Sequence, residues 1–224
     1  MSNMQTIRVT GKGQLKVKPD MTRITMSLEG RSPEYADMLR KSSEDTESLK
    51  DVLAAFGFAR SDVKTLYFNV DTEYESYQER GVYKQRFKGY KYEHTLKVEF
   101  ESDNDRLGRI LYGLAHCPVK PEFRISYFVK DQEAAKNQLL AKAVTDAKEK
   151  AAVLTQAAGK TLKDIQTIDY SWGEINFEVH PMNKMAVYDC ATSPIMEMRT
   201  SYDMDIEPDD VEVSDTVTIV WEIG

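Results

Sequence analysis

The 224-residue chain has only two cysteines, Cys117 and Cys190. Two thiols cannot staple a chain of this length, so a disulfide-dense secreted scaffold is excluded. Long apolar runs are missing too. No window approaches the ~20 apolar residues that span a bilayer, and no transmembrane segment is expected. The N-terminus lacks the apolar core of a signal peptide and already alternates at Ile7 and Val9. As it stands, the chain reads as soluble and cytoplasmic; a leader removed beforehand would make it periplasmic. A basic surplus is also absent. Lys and Arg number 30 against 37 Asp and Glu, giving a formal net charge of -7. Nucleic acid is therefore not an expected partner, because its phosphates need a concentrated basic surface.

What remains is an ordinary globular composition, 41% hydrophobic and 30% charged. It can bury the core of one large domain or two small intertwined ones. Thr6 to Thr10 reads as a strand that Gln14 to Lys18 continues past Gly11 and Gly13, which read as a turn or bulge. Pro19-Asp20 marks a turn, and Met21 to Gly30 alternates as a half-buried strand. Ser32 reads as an N-cap and Pro33 as first-turn residue of a helix with Leu39, Thr46, Leu49, Leu53 and Phe56 inward, stopped at Gly57. Val63 to about Ser76 is a strand, and Glu79-Arg80-Gly81 a hairpin tip.

The clearest pattern follows. Tyr90, Tyr92, His94, Leu96, Val98 and Phe100 share one face, with Lys91, Glu93, Thr95, Lys97, Glu99 and Glu101 on the other: a long antiparallel strand with one wet face. Asn104 is read as the cap of a short helix with Leu107, Ile110, Leu111 and Leu114 inward. Phe123 to Val129 is a strand. From Asp131 the longest helix carries a small-residue stripe, Ala135, Leu139, Ala143, Ala147, Ala151, Leu154 and Ala158, which permits close packing. Leu162 to Trp172 and Asp210 to Ile223 are the last strands. Antiparallel strands interrupted by amphipathic helices predict an α+β fold, with antiparallel sheets covered by helices on one face. Residues 173–208 form a long irregular excursion between the last two strands. Its Met182, Met185, Met196 and Met198 have two readings: an adaptable binding surface, or a long hairpin folded on its own subunit.

Candidate chemistry is thin. His116-Cys117, His180 and Cys190 include metal-ligand types but no ligand spacing, so buried thiols are the expectation and no metal or cofactor is assigned. Neighbouring helical residues point about 100° apart, so His116 and Cys117 cannot pair as base and nucleophile. Gly11-Lys-Gly13 lacks the third glycine and following helix of a dinucleotide fingerprint. His94 sits on an apolar face and reads as a satisfied core or interface histidine. Tyr74, Tyr77, Tyr83, Phe87, Tyr90 and Tyr92 cluster around the hairpin among Arg80, Lys84, Arg86, Lys88 and Lys91. Glu73, Glu75, Glu79 and Glu93 dilute that charge, so the cluster reads as a subunit contact rather than a single-strand platform.

Four stretches together resemble the SIMPL family, also called DUF541, with its bacterial YggE-like members. They are Val9-Thr-Gly-Lys-Gly13 with Val17-Lys-Pro-Asp20; Asp146-Ala-Lys-Glu-Lys-Ala-Ala-Val-Leu154; Ala158-Gly-Lys-Thr-Leu162 with Ile165 to Tyr170; and Ile206 to Ile223. The resemblance spans nearly all of residues 1–224 as one domain. It implies an α+β fold of two interleaved subdomains, ring-like homo-oligomers in some members, and a stress- or envelope-related setting. It supplies no catalytic residues. The expected function is a non-enzymatic oligomeric assembly or binding protein. The alternative is an enzyme acting on a small molecule through a dispersed site, which a pocket with convergent polar groups and perturbed acids or bases would mark.

Overall fold

A computed structural model describes residues 5–170, 175–180 and 206–224. In chain order its elements are β1 (Gln5–Val17), β2 (Met21–Ser32), α1 (Tyr35–Ala54), β3 (Lys64–Glu79), β4 (Val82–Glu101), α2 (Asn104–Ala115), β5 (Glu122–Phe128), α3 (Gln132–Ala157), β6 (Leu162–Asp169), β7 (Glu178–Val179) and β8 (Val211–Ile223). Two sheets and three helices make an α+β fold. The chain divides into two compact units that alternate along the sequence. One is Met1–Asp20, Phe128–Val179 and Pro208–Gly224; the other is Met21–Tyr127 and His180–Glu207.

The first unit rests on β1 paired antiparallel with β8, from Gln5↔Ile223 to Val17↔Val211 without a register shift, and β6 lies on the far side of β8. Helix α3 packs on β1 and β8. Its buried stripe is Ala135, Leu139, Ala143, Ala147, Ala151 and Thr155. The sequence pattern follows this stripe to Ala151 and then departs, because the four-residue step continues to Thr155 and leaves Leu154 half exposed. Thr155 satisfies its hydroxyl by donating to the Ala151 carbonyl at 2.8 Å.

The turn or bulge expected at Gly11 and Gly13 is not there. Both lie within continuous β1, and neither has a positive φ. They are glycine because α3 is too near for anything larger. A Cβ on Gly11 would sit 2.1 Å from the Ala143 carbonyl oxygen, and one on Gly13 would sit 2.2 Å from that of Leu139. The contact is backbone to backbone, so no rotamer change relieves it. Asp146 then accepts from the Lys12 N–H at 2.6 Å, covering a donor of edge strand β1. Asp20, after Pro19, accepts from the Lys130 N–H at 2.7 Å and ties the end of β1 to the approach of α3.

In the second unit β4 lies between β3 and β2, with β5 beyond β2. The alternation of β4 is realised residue by residue. Tyr92, Leu96, Val98 and Phe100 are buried against α1 and α2 with Ile24, Met26, Leu28, Leu49, Leu53, Leu107, Ile110 and Leu114. Each such side chain contributes roughly 1.5–3 kcal/mol by leaving water. On the wet face Arg23 meets Glu99 at 2.7 Å and Lys91 meets Glu29 at 2.9 Å.

Several sequence expectations shift here. Ser32 is not an N-cap: it closes β2 opposite Tyr90, and its hydroxyl accepts from the Glu34 N–H. The inward stripe of α1 is Met38, Ser42, Thr46, Leu49 and Leu53, while Leu39 is 40% exposed. A polar Ser42 hides that stripe from an apolar count. Asp103, not Asn104, caps α2 by accepting from the Arg106 N–H at 3.0 Å.

Gly11→Ala is expected to lower the stability of the protein by roughly 1–3 kcal/mol or more, the usual range for overpacking. The urea midpoint checks it. Gly57, whose Cβ would meet nothing, is the control position: Gly57→Ala suffers only the strain of its φ of +83°, about 1 kcal/mol.

Candidate interaction surface

The distal half of the β3–β4 hairpin stands out for what does not cover it. From Tyr74 to Lys88 every residue except Glu75 is exposed. A two-residue turn at Arg80 and Gly81, with φ of 51° and 81°, closes the ribbon. Positive φ at both central positions suits the twist of a tight hairpin. Tyr83 is 78% exposed, Tyr74 55%, and Phe87 and Tyr77 somewhat less.

The two faces of this ribbon differ. Tyr74 pairs with Phe87, Ser76 with Gln85 and Gln78 with Tyr83 on one face. Glu75 pairs with Arg86, Tyr77 with Lys84 and Glu79 with Val82 on the other. The second face holds the charges, neutralised locally: Arg86 on Glu75, Lys84 on Glu79 at 2.6 Å, and Lys88 and Arg31 on Glu73 at 3.4 and 3.2 Å. Arg86 also lies over the Tyr77 ring. Each of these cations faces a neighbouring acid.

The first face carries rings in edge contact. Tyr35, at the start of α1, meets Tyr90 at 5.2 Å, Tyr90 meets Phe87 at 5.3 Å, and Phe87 meets Tyr74 at 5.9 Å. Strict alternation of β4 would place Phe87 opposite in face to Tyr90. A register shift intervenes: Glu73 pairs with Gly89 but Tyr74 with Phe87, so Lys88 is an extra residue. Gly89 carries a φ of +146°, and a Cβ there would lie 2.6 Å from the Ser32 carbonyl oxygen. The bulge thus moves Phe87 and Tyr83 to the Tyr90 face.

Of the aromatic residues singled out from sequence, Tyr74, Tyr77, Tyr83 and Phe87 lie on the exposed ribbon and Tyr90 is half-buried at its base. Tyr92 does not belong to this surface. It is fully buried, its ring lies over Gly30, and its hydroxyl donates to Asp45. Tyr35 extends the ring series and is not evident from sequence, because it sits on a different element. Met182, Met185, Met196 and Met198 lie outside the described residues. So do Cys190 and the expected end of the strand at Trp172. Of the excursion, residues 175–180 are described; Phe177 there is fully buried with Val129, Ala135 and Val211.

The remaining candidates resolve into structure. Cys117 is buried, and His116 turns away by donating its Nδ1–H to the Tyr112 carbonyl at 2.8 Å. Among the described residues no group of three or more His, Cys, Asp or Glu could hold a metal ion, and no described helix is long and apolar enough to cross a membrane. An open groove of about 580 Å³ in the first unit is lined by Gln14, Leu15, Lys16, Lys142, Glu212, Val213 and Ser214. Its lysines are engaged. Lys16 pairs with Glu212 at 3.2 Å, which raises its pKa, and Lys142 donates to the Gln14 carbonyl.

His94 is a satisfied core histidine. The Thr46 hydroxyl donates to the Ser42 carbonyl, so it accepts from His94 Nδ1–H at 2.9 Å; Nε2 is hydrogen-bonded to the Thr65 hydroxyl at 2.9 Å. The ring joins α1, β4 and β3.

A family model described as SIMPL, a protein of unknown function (DUF541), matches residues 7–221. The chain belongs to the SIMPL family. None of the curated proteins compared with this SIMPL protein matches it. The four motifs that carry the resemblance fall in the first unit apart from Ile206 and Glu207, and two of them meet: Gly11 and Gly13 face α3, and Asp146 holds Lys12. In these two motifs Gly11, Gly13 and Asp146 serve packing and alignment.

Burial, and then Lys50, lower the His94 pKa below its ordinary 6.5. The folded protein therefore binds fewer protons than the unfolded chain just under that pH. The His94 contribution is full above about pH 6.5, falls as pH drops toward the folded value, and levels off below it. Urea unfolding from about pH 7 to about pH 5 is expected to show a steeper loss in the parent than in His94→Gln.

Proposed function

We propose that this SIMPL protein is a non-enzymatic homo-oligomeric assembly protein in which the distal β3–β4 hairpin is a contact element. One observation carries the reading: residues 74–88 project four aromatic side chains that remain 41% to 78% exposed among the described residues. An isolated two-stranded ribbon is marginal in water. Surface ion pairs such as Lys84–Glu79 add about 0–1 kcal/mol each and leave it marginal. Association covers the rings. It also agrees with the homo-oligomers that the family resemblance implies; the stress- or envelope-related setting rests on that resemblance alone. The groove of the first unit gives little support to an enzyme reading, since its two lysines are already bound to neighbours.

Replacing Tyr74–Lys88 by Asn-Gly closes the strands on the Glu73↔Gly89 pair. The expected outcome is a fall in mass by light scattering with an unchanged far-ultraviolet circular dichroism spectrum. A shortened protein with the parent's mass would remove the hairpin from the assembly and the reading with it.

A further inference from the structure

We infer that the occupant of the hairpin's Tyr74–Tyr83–Phe87 face is the same face of a second copy of this chain, docked about a two-fold axis. This rests on the assembly reading and specifies its contact. The face consists of Tyr74, Ser76, Gln78, Tyr83, Gln85 and Phe87, without one charged side chain. Charge depletion with Tyr and Phe enrichment is the composition of interface centres. Each copy carries a net charge of -7, so two copies repel at long range, and a neutral face lets them meet without opposing like charges. The charged face would have to desolvate its Glu75–Arg86 and Glu79–Lys84 pairs to do the same.

The area is sufficient for a modest dimer. Scaling ~200 Å² per aromatic side chain by the exposures of Tyr35, Tyr74, Tyr83 and Phe87 leaves about 450 Å² of ring surface per copy. Two copies together then cover on the order of 900 Å², before Ser76, Gln78 and Gln85 are counted, near the ~1,000 Å² of a specific contact. The bulge at Lys88 and Gly89 builds the face. Without the extra residue, Lys84, Arg86 and Lys88 would lie beside Tyr74, and Phe87 and Tyr83 would join the acids.

Light scattering and sedimentation of three variants test this against the hairpin deletion. Tyr83→Ser with Phe87→Ser is expected to raise the dissociation constant by about a hundredfold or more. Tyr83→Arg, at a position too exposed to endanger folding, should dissociate the pair by burying an unpaired cation in a neutral contact. Tyr77→Ser with Val82→Ser removes apolar surface from the other face and should leave the mass unchanged. If the deletion dissociates the protein but Tyr83→Arg does not, the choice of face is wrong while the assembly reading stands. If the deletion leaves the mass unchanged, the assembly reading fails first. A double-serine variant of parental mass but lower melting temperature would mean that the chain covers its own stripe, which overturns the proposal. Equal dissociation by both face variants overturns it as well.

Discussion

Everything in the first unit follows from how near α3 lies to β1. Glycine at positions 11 and 13, and alanine at 143 and 147, let two backbones approach until a Cβ would overlap a carbonyl. Such a contact has little apolar area, since alanine and glycine offer few carbons. Its strength lies in dense dispersion contacts and in the absence of any slack to lose. It also fixes register. A slip of β1 by one residue would turn Lys12 or Gln14 under the helix, because strand side chains alternate with a period of two. A one-residue slip of α3 would bring larger residues under the strand, Val144 and Lys148 one way or Lys142 and Asp146 the other. The Asp146–Lys12 hydrogen bond checks the same alignment a second time.

That constraint has a kinetic side. β1 and β8 are the two ends of the chain, and their Thr10–Thr218 hydroxyl pair is separated by 208 residues. The unit cannot close until the last strand exists, and such non-local pairing is slow. The second unit is more local: α1, β3, β4 and α2 follow one another and share one core. Contact distance alone therefore orders the two, the second unit ahead of the first.

Much of this was legible in the residues. The β4 alternation and the α3 stripe each have one dominant period, and Gly57, Gly159 and Asp131 stop or start helices by local chemistry. The misses have a common cause, which is a partner far away in sequence. Ser32 resembles a cap until Tyr90 draws it into a strand. Gly11 and Gly13 resemble a turn until a helix about 130 residues later presses on them. Of the surface, the aromatic residues were readable but their sides were not. A single extra residue at Lys88 reverses the phase of β4, and only Gly89 marks it. Tyr92 resembles its neighbours until Gly30 and Asp45 supply a pocket for it. The motifs that identify the family belong to the scaffold, so recognising them located the fold and said nothing about the ribbon.

A long exposed ribbon raises the question of why it would not polymerise edge to edge. The free edge of β3 carries Asp71, Glu73, Glu75 and Glu79. A second β3 laid alongside would bring carboxylates opposite carboxylates, which is unfavourable for directly facing cross-strand pairs. Charged edges are a standard defence against strand addition. The neutral face has no such defence, and it lies perpendicular to the edge. The three glutamates therefore do two things. They neutralise Lys84, Arg86 and Lys88 on the outer face, and with Asp71 they deny the edge. What is left open is a neutral face rather than an edge that propagates.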